Sequence, residues 1–188
     1  MMERAWTGVI LAGGQSSRMG RDKALLEVDG TTLLDRAVHL LRPHAREILV
    51  IGDPAKYAPP HAEVIADEQP GLGPLAGIVT AMKRARYVRL LVLACDMPHL
   101  NDRLLIHLKQ GLTGDIDAVV PRHGTYVEPL AAAYHRHAID AFTDQLAKGH
   151  GRMTEALGRI HTAYIDLAPG SEGWPADLFR NLNAPTDL

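Results

Sequence analysis

Cysteine is nearly absent from this 188-residue sequence; Cys95 stands alone. No intrachain disulfide and no thiolate metal cluster can form from a single thiol. Long apolar runs are missing too, and none nears the ~20 residues needed to span a bilayer. The start, MMERAWTGVILAGG, lacks the hydrophobic segment and cleavage site of a signal peptide. These absences predict a cytoplasmic, reducing location and no membrane partner. Charge of one sign is also lacking, with a formal net charge of −2. A basic face for sequence-independent nucleic-acid binding is therefore not expected.

Familiar catalytic and nucleotide motifs are missing as well. A P-loop needs two glycines with four residues between them, followed by Lys and Ser or Thr. Here five residues separate Gly14 from Gly20, and Arg21 and Asp22 precede Lys23. No G-x-G-x-x-G occurs, so a dehydrogenase-type dinucleotide fold is disfavoured. The ten histidines form no H-E-x-x-H, and no Ser-His-Asp order stands out. His135 and His137, two apart, should face different sides of a helix. His99 and His123 are the histidines nearest to loops of interest.

What is present is an alternation. WTGVIL (6–11), EILVIG (47–52), AEVIA (62–66), RLLVLAC (89–95) and DAVVP (117–121) have the apolar character of buried strands. Between them, residues 31–44, 73–85, 101–112 and 134–149 carry helical spacing, cap residues or a terminal glycine. Strands alternating with helices predict a single three-layer α/β domain over 1–188, Rossmann-like, with a mainly parallel sheet covered on both faces. Ligands of such sheets sit beyond the carboxyl ends of the strands. The loops after Leu11, Gly52, Ala66 and Cys95 are then the ones to inspect.

The loop after Leu11, AGGQSSRMGRDK, joins glycines to cations. Gly13 and Gly14 allow backbone amides to approach a ligand, and successive amides in a turn form an anion-binding nest. Arg18 can grip phosphate oxygens bidentately, while Lys23 acts as a point charge. A tight turn with solvated basic residues is the competing reading. In LLVLACDMPHL (90–100), the strand delivers Asp96 at its carboxyl end. One carboxylate there can hold Mg²⁺, which keeps several waters and takes phosphate oxygens as further ligands; a turn or helix cap is the alternative. Cys95 reads as a small buried hydrophobe. Asp67 also follows a strand, and GLGPLAG beyond it opens a helix with small residues and free amides, suited to a flat base. A close-packed helix start would look the same.

Together, LAGGQSSRMGRDKALL (11–26), GPLAGI (73–78), LACDMP (93–98) and NLNAPTDL (181–188) resemble the MobA family of molybdenum cofactor guanylyltransferases. The matches fall in order along nearly the whole chain. The first block is shared by a wider nucleotidyltransferase superfamily, and the pairing of LAGG with GPLAG points to guanine. The resemblance implies a fold of nucleotidyltransferase type and transfer of GMP from GTP to the terminal phosphate of molybdopterin, with release of pyrophosphate. It places Leu11, Ala12, Gly13 and Gly14 along GTP, Lys23 and Arg18 on its phosphates, Asp67 near the nucleoside, and Mg²⁺ on Asp96. Gly73, Pro74 and Leu75 would meet guanine. The N-terminal half would bind nucleotide and the C-terminal half the acceptor, with transient contact to other molybdenum cofactor enzymes. In HGTYVEPLAAAY (123–134) and GHGRMTEAL (149–157), which fall in that second half, Tyr126 could stack on the pterin and Arg152 could meet its phosphate. An ordinary strand and an ordinary helix start are the competing reading. Asn181 and Asn183 would contact pterin or metal.

Two positions depart from the family pattern. Asp53 stands where Asn is usual, and can accept from guanine N1 and N2 but not donate. Ala184 replaces a Thr in the tail. The rivals are cytidylyl transfer to the same cofactor, a sugar-1-phosphate nucleotidyltransferase, and a nucleotide-binding regulatory module without turnover.

Overall fold

The computed structural model describes residues 5–13 and 22–182. Of the residues singled out above, Gly14, Arg18, Gly20, Arg21, Asn183 and Ala184 lie outside those described.

In the interior of an eight-stranded sheet runs β1 (Trp6–Leu11). A short 3-10 helix (Lys23–Leu25) and a small hairpin, β2 (Glu27–Val28) with β3 (Thr31–Thr32), lead into α1 (Leu33–Leu41). The chain then lays β4 (Glu47–Ile51) parallel to β1 and β5 (Glu63–Ile65) parallel to β4. α2 (Pro74–Arg84) carries it back across to β6 (Arg89–Ala94), parallel to β1 on the other side. β1 is thus the point where the order of parallel strands reverses, which leaves a crevice at its carboxyl end.

α3 (Asp102–Gly111) leads to β7 (Ala118–His123), which pairs with the short β8 (Tyr126–Val127). β9 (Ala131–His135) then inserts antiparallel between β6 and β7. A 3-10 turn (Arg136–Ala138), α4 (Ile139–Ala147) and α5 (Met153–Leu157) lead to β10 (Thr162–Asp166), parallel to β7 at the edge. The expected helix over 134–149 is therefore shorter, because its first residues are strand. β9 reads AAAYH, and alanine is a weak strand former; burial between two neighbours decides the conformation. His135 and His137 accordingly do not diverge on a helix. Their ring centroids lie 3.9 Å apart.

Side-chain alternation divides the core in two. Ile10, Val50, Leu91 and Val119 point to the face covered by α1 and α3. Val9, Leu11, Leu49, Val92 and Val120 point to the face covered by α2, α4 and α5. This is the period-2 pattern of strands buried on both faces, and it yields the expected three layers. α1 begins at a reciprocal cap: Thr32 Oγ1 accepts from Asp35 N–H at 3.0 Å and donates to Asp35 Oδ2 at 2.7 Å. Its Leu33, Leu34, Val38 and Leu41 are buried, each contributing roughly 1.5–3 kcal/mol relative to exposure. No helix among the described residues is long and apolar enough to cross a membrane.

Candidate active site

The strand register builds the site. Leu11 lies opposite Ile51 on one side and Ala94 on the other, and Ile51 lies opposite Ile65. Four carboxyl ends therefore stop level, and the residues that leave them (Ala12–Gly13, Gly52–Asp53, Ala66–Asp67 and Cys95–Asp96) share one edge. Backbone bonds extend the register past the strands: Ala12 N–H donates to Ile51 O at 3.0 Å, Gly52 N–H to Ile65 O at 2.9 Å, and Cys95 N–H to Leu11 O at 3.3 Å. At a strand spacing of about 4.8 Å, the row spans roughly 14 Å, room for a base, a sugar and phosphates in line.

At the β6 end of this row, Lys23 Nζ stands 3.6 Å from Asp96 Oδ2, each side chain 23% exposed. Lys23 reaches that position because Asp22 caps its 3-10 helix, Oδ1 accepting from Ala24 N–H at 3.1 Å. Asp96 does not cap the helix that follows; Asn101 does, accepting from Leu104 N–H at 3.1 Å. The Asp96 carboxylate is thus left to charge chemistry. No group of three or more His, Cys, Asp or Glu side chains suited to a metal occurs among the described residues. A single partly exposed carboxylate fits a hard cation that draws most ligands from water and phosphate, and does not fit a protein-caged ion. Cys95 is buried, and burial with the Asp96 and Asp22 carboxylates nearby pushes its thiol up to about 12. It is protonated at neutral pH and is no nucleophile.

At the β5 end, Asp67 Oδ1 accepts from Thr80 Oγ1 and from Gln69 N–H, both at 3.0 Å. That ties the strand end to α2, which the sequence did not reveal. Gly73 sits at φ +84° as the α2 N-cap, with Pro74 following it. Four residues on, a Cβ at Gly77 would lie 3.1 Å from Leu11 Cδ2, so this glycine lets α2 approach β1. Gly73 and Pro74 are exposed, whereas the Leu75 side chain is fully buried and leaves its backbone as the contacting group. Asp53 is exposed and forms a tight turn, Oδ1 accepting from Ala55 N–H at 2.9 Å.

The acceptor candidates divide between the two flanks. His123, at the end of β7, is stacked between Tyr126 (centroids 5.7 Å apart) and Phe179 (5.0 Å), and its Nε2 lies 2.8 Å from Glu128 Oε1. Tyr126 is 70% exposed. The tail then turns toward the metal-binding candidate: Leu182 N–H donates to Asp96 O at 2.9 Å, which puts the exposed Asn181 beside that turn. Arg152 lies on the opposite flank. A Cβ on its neighbour Gly151 would fall 2.6 Å from Leu72 O, so this segment abuts the Leu72–Gly73 turn. Its guanidinium is exposed, 3.7 Å from Glu155 Oε1.

Sequence reasoning missed Tyr57, Asp22 and Phe179 as parts of this edge. Asp22 was legible only as a departure from the P-loop pattern. Nothing in the spacing of GDPAKY signals that Tyr57 turns back onto β1.

Residues 8–162 match the family described as the MobA-like NTP transferase domain. A probable molybdenum cofactor guanylyltransferase of Chloroflexus aggregans is 37% identical, over 97% of this chain and 91% of the relative. One of Bacillus subtilis is 35% identical, over 96% and 91%. The crystal structure of molybdopterin-guanine dinucleotide biosynthesis protein A from Archaeoglobus fulgidus superposes with a TM-score of 0.78 at 27% identity, covering 96% of this chain and 94% of that one. A cytidylyltransferase from Thermus thermophilus shares the fold at a TM-score of 0.69 and 19% identity, over 95% and 93%. With the level strand ends and the charged pair at the β6 end, these similarities place the chain in the MobA-like family of NTP transferases, alongside the molybdenum cofactor guanylyltransferases.

Proposed function

We propose that this nucleotidyltransferase moves GMP from GTP to the terminal phosphate of molybdopterin and releases pyrophosphate. The carrying observation is the Lys23–Asp96 pair at the carboxyl end of β6, in a chain whose relatives at 35–37% identity bear the guanylyltransferase name. In this reading a phosphate oxygen of the acceptor bonds to the α-phosphorus of GTP. The bond from that phosphorus to the bridging oxygen breaks, and the electron pair leaves with pyrophosphate. A phosphate monoester is largely anionic near neutral pH, so no general base is required, in keeping with the lack of one among the assigned residues.

The chain's task is then positioning and charge neutralisation. Lys23 holds the phosphates as a point charge, and Arg18 is assigned to the same group. Asp96 is the ligand for Mg²⁺, which when bound neutralises phosphate oxygens and orients them. Leu11, Ala12, Gly13 and Gly14 offer backbone to the nucleotide. The turn at Gly73, Pro74 and Leu75, with Asp53 across the row, is assigned to guanine, and Asp67 to the nucleoside side. Tyr126, Arg152, Asn181 and Asn183 are assigned to the acceptor.

The test is product formation. Purified protein with Mg²⁺, molybdopterin and either GTP or CTP should release pyrophosphate and give a dinucleotide of the guanylyl mass with GTP alone. A product with CTP and none with GTP would move the assignment to cytidylyl transfer. Binding of nucleotide with no product from either would favour the regulatory module.

A further inference from the structure

We propose that Tyr57 is a positioning residue for the transfer: its phenol joins the end of β1 to the start of the Lys23 helix and thereby sets Lys23 opposite Asp96. The proposal rests on the reading of Lys23 and Asp96 as phosphate and metal ligands. Tyr57 Oη lies 2.6 Å from Asp22 Oδ2 and 3.1 Å from the Ala12 carbonyl oxygen. Those two acceptors belong to residues 12 and 22, so one side chain ties the end of β1 to the start of the Lys23 helix. A phenol has a single proton, and here it is shared between two acceptors, with the carboxylate the closer. The other Asp22 oxygen caps the helix that carries Lys23. The path from Tyr57 through Asp22 and Lys23 to Asp96 is therefore continuous.

The ring is held from a third direction. A Cβ at Gly52 would fall 2.6 Å from Tyr57 Cε2, so only glycine leaves room for the ring against the end of β4. Tyr57 N–H also donates to Asp53 O at 3.2 Å. The side chain is 6% exposed, which leaves it no surface for substrate and makes its action indirect. Burial and the Asp22 carboxylate raise its pKa above the ordinary phenol range, so it remains a donor at any working pH.

Tyr57→Phe removes the hydroxyl and keeps the ring against Gly52. Measured by equilibrium binding and initial rates, Y57F should bind Mg²⁺-GTP about tenfold more weakly, the scale of a hydrogen bond to a charged group. The KM for the acceptor should stay within about twofold, whereas a general loss of structure would degrade both substrates. In a Lys23→Ala background, Y57F should add less than about twofold, because the group it positions is gone. Asp22→Asn keeps an oxygen for Ala24 N–H and offers an N–H to the phenol oxygen, so it should stay within about threefold of wild type. Asp22→Ala should lose at least as much GTP affinity as Y57F. GTP affinity of Y57F equal to wild type, or a full deficit persisting without Lys23, overturns the proposal alone. Wild-type protein that binds no GTP overturns the guanylyl reading and this proposal with it.

Discussion

The two sides of the catalytic edge are built differently. On the side assigned to the nucleotide, β5, β4, β1 and β6 are parallel and end level; Thr80–Asp67 ties the β5 end to α2, while Tyr57–Asp22 and Lys23–Asp96 join the segments that follow β4, β1 and β6. On the side assigned to the acceptor, β9 runs antiparallel between β6 and β7, and Tyr126, Arg152 and Asn181 are exposed. Tyr126 rests on His123, and the exposed Arg152 guanidinium lies beside Glu155. Fixed geometry thus belongs to the side we assign to the triphosphate. The other side offers a stacking surface and long side chains, which adapt to a ligand but lose rotamer freedom when they bind it.

If that contrast is sound, Asp96→Ala has the largest effect. Its loss should lower kcat about 10²–10³-fold, with a melting temperature close to wild type because the carboxylate is part of no helix cap. Near-wild-type turnover would remove Asp96 from the metal site. Tyr126→Ala comes next. Stacking lost from a partly solvated platform should raise the acceptor KM about five- to tenfold and leave GTP affinity unchanged. A larger effect on GTP than on the acceptor would erase the division between the two sides.

The smallest expected effect lies at the opposite end of the sheet, and on stability alone. Burial, then the neighbouring His137, lowers the pKa of His135 in the folded chain. The unfolded chain therefore binds the proton first, and stability present above the ordinary histidine range is lost as pH falls through the lowered pKa. Melting temperature should drop on acidification below about pH 6.5, and His137→Gln should soften the drop without altering turnover.

Much of the fold around the parallel strand ends was legible because its signals are local. An apolar run followed by glycine or aspartate marks a strand end, and GPLAG marks a helix start whichever neighbours it meets. The helix starts within 31–44 and 101–112, capped in the fold by Thr32 and Asn101, were legible for the same reason. Two kinds of feature were not. β9 has alanines where a strand former is expected, and its pairing with β6 and β7 supplies what its own sequence lacks. The Tyr57–Asp22 bond spans residues far apart in sequence, and no spacing rule encodes it. The Tyr126–His123–Phe179 stack is likewise assembled only when the tail crosses the end of β7.

The central claim, that the level strand ends form a guanine nucleotide site held by Lys23, is tested most directly by thermal melting with Mg²⁺ and each of GTP, CTP, ATP and UTP. A ligand at about 100 times its Kd adds roughly 2.7 kcal/mol, a rise of about 5–10 °C for a chain of this size. The account predicts that rise for GTP alone in the wild-type protein, and a much smaller one in Lys23→Ala. An equal rise with CTP or ATP, or a GTP response that Lys23→Ala leaves intact, would contradict it.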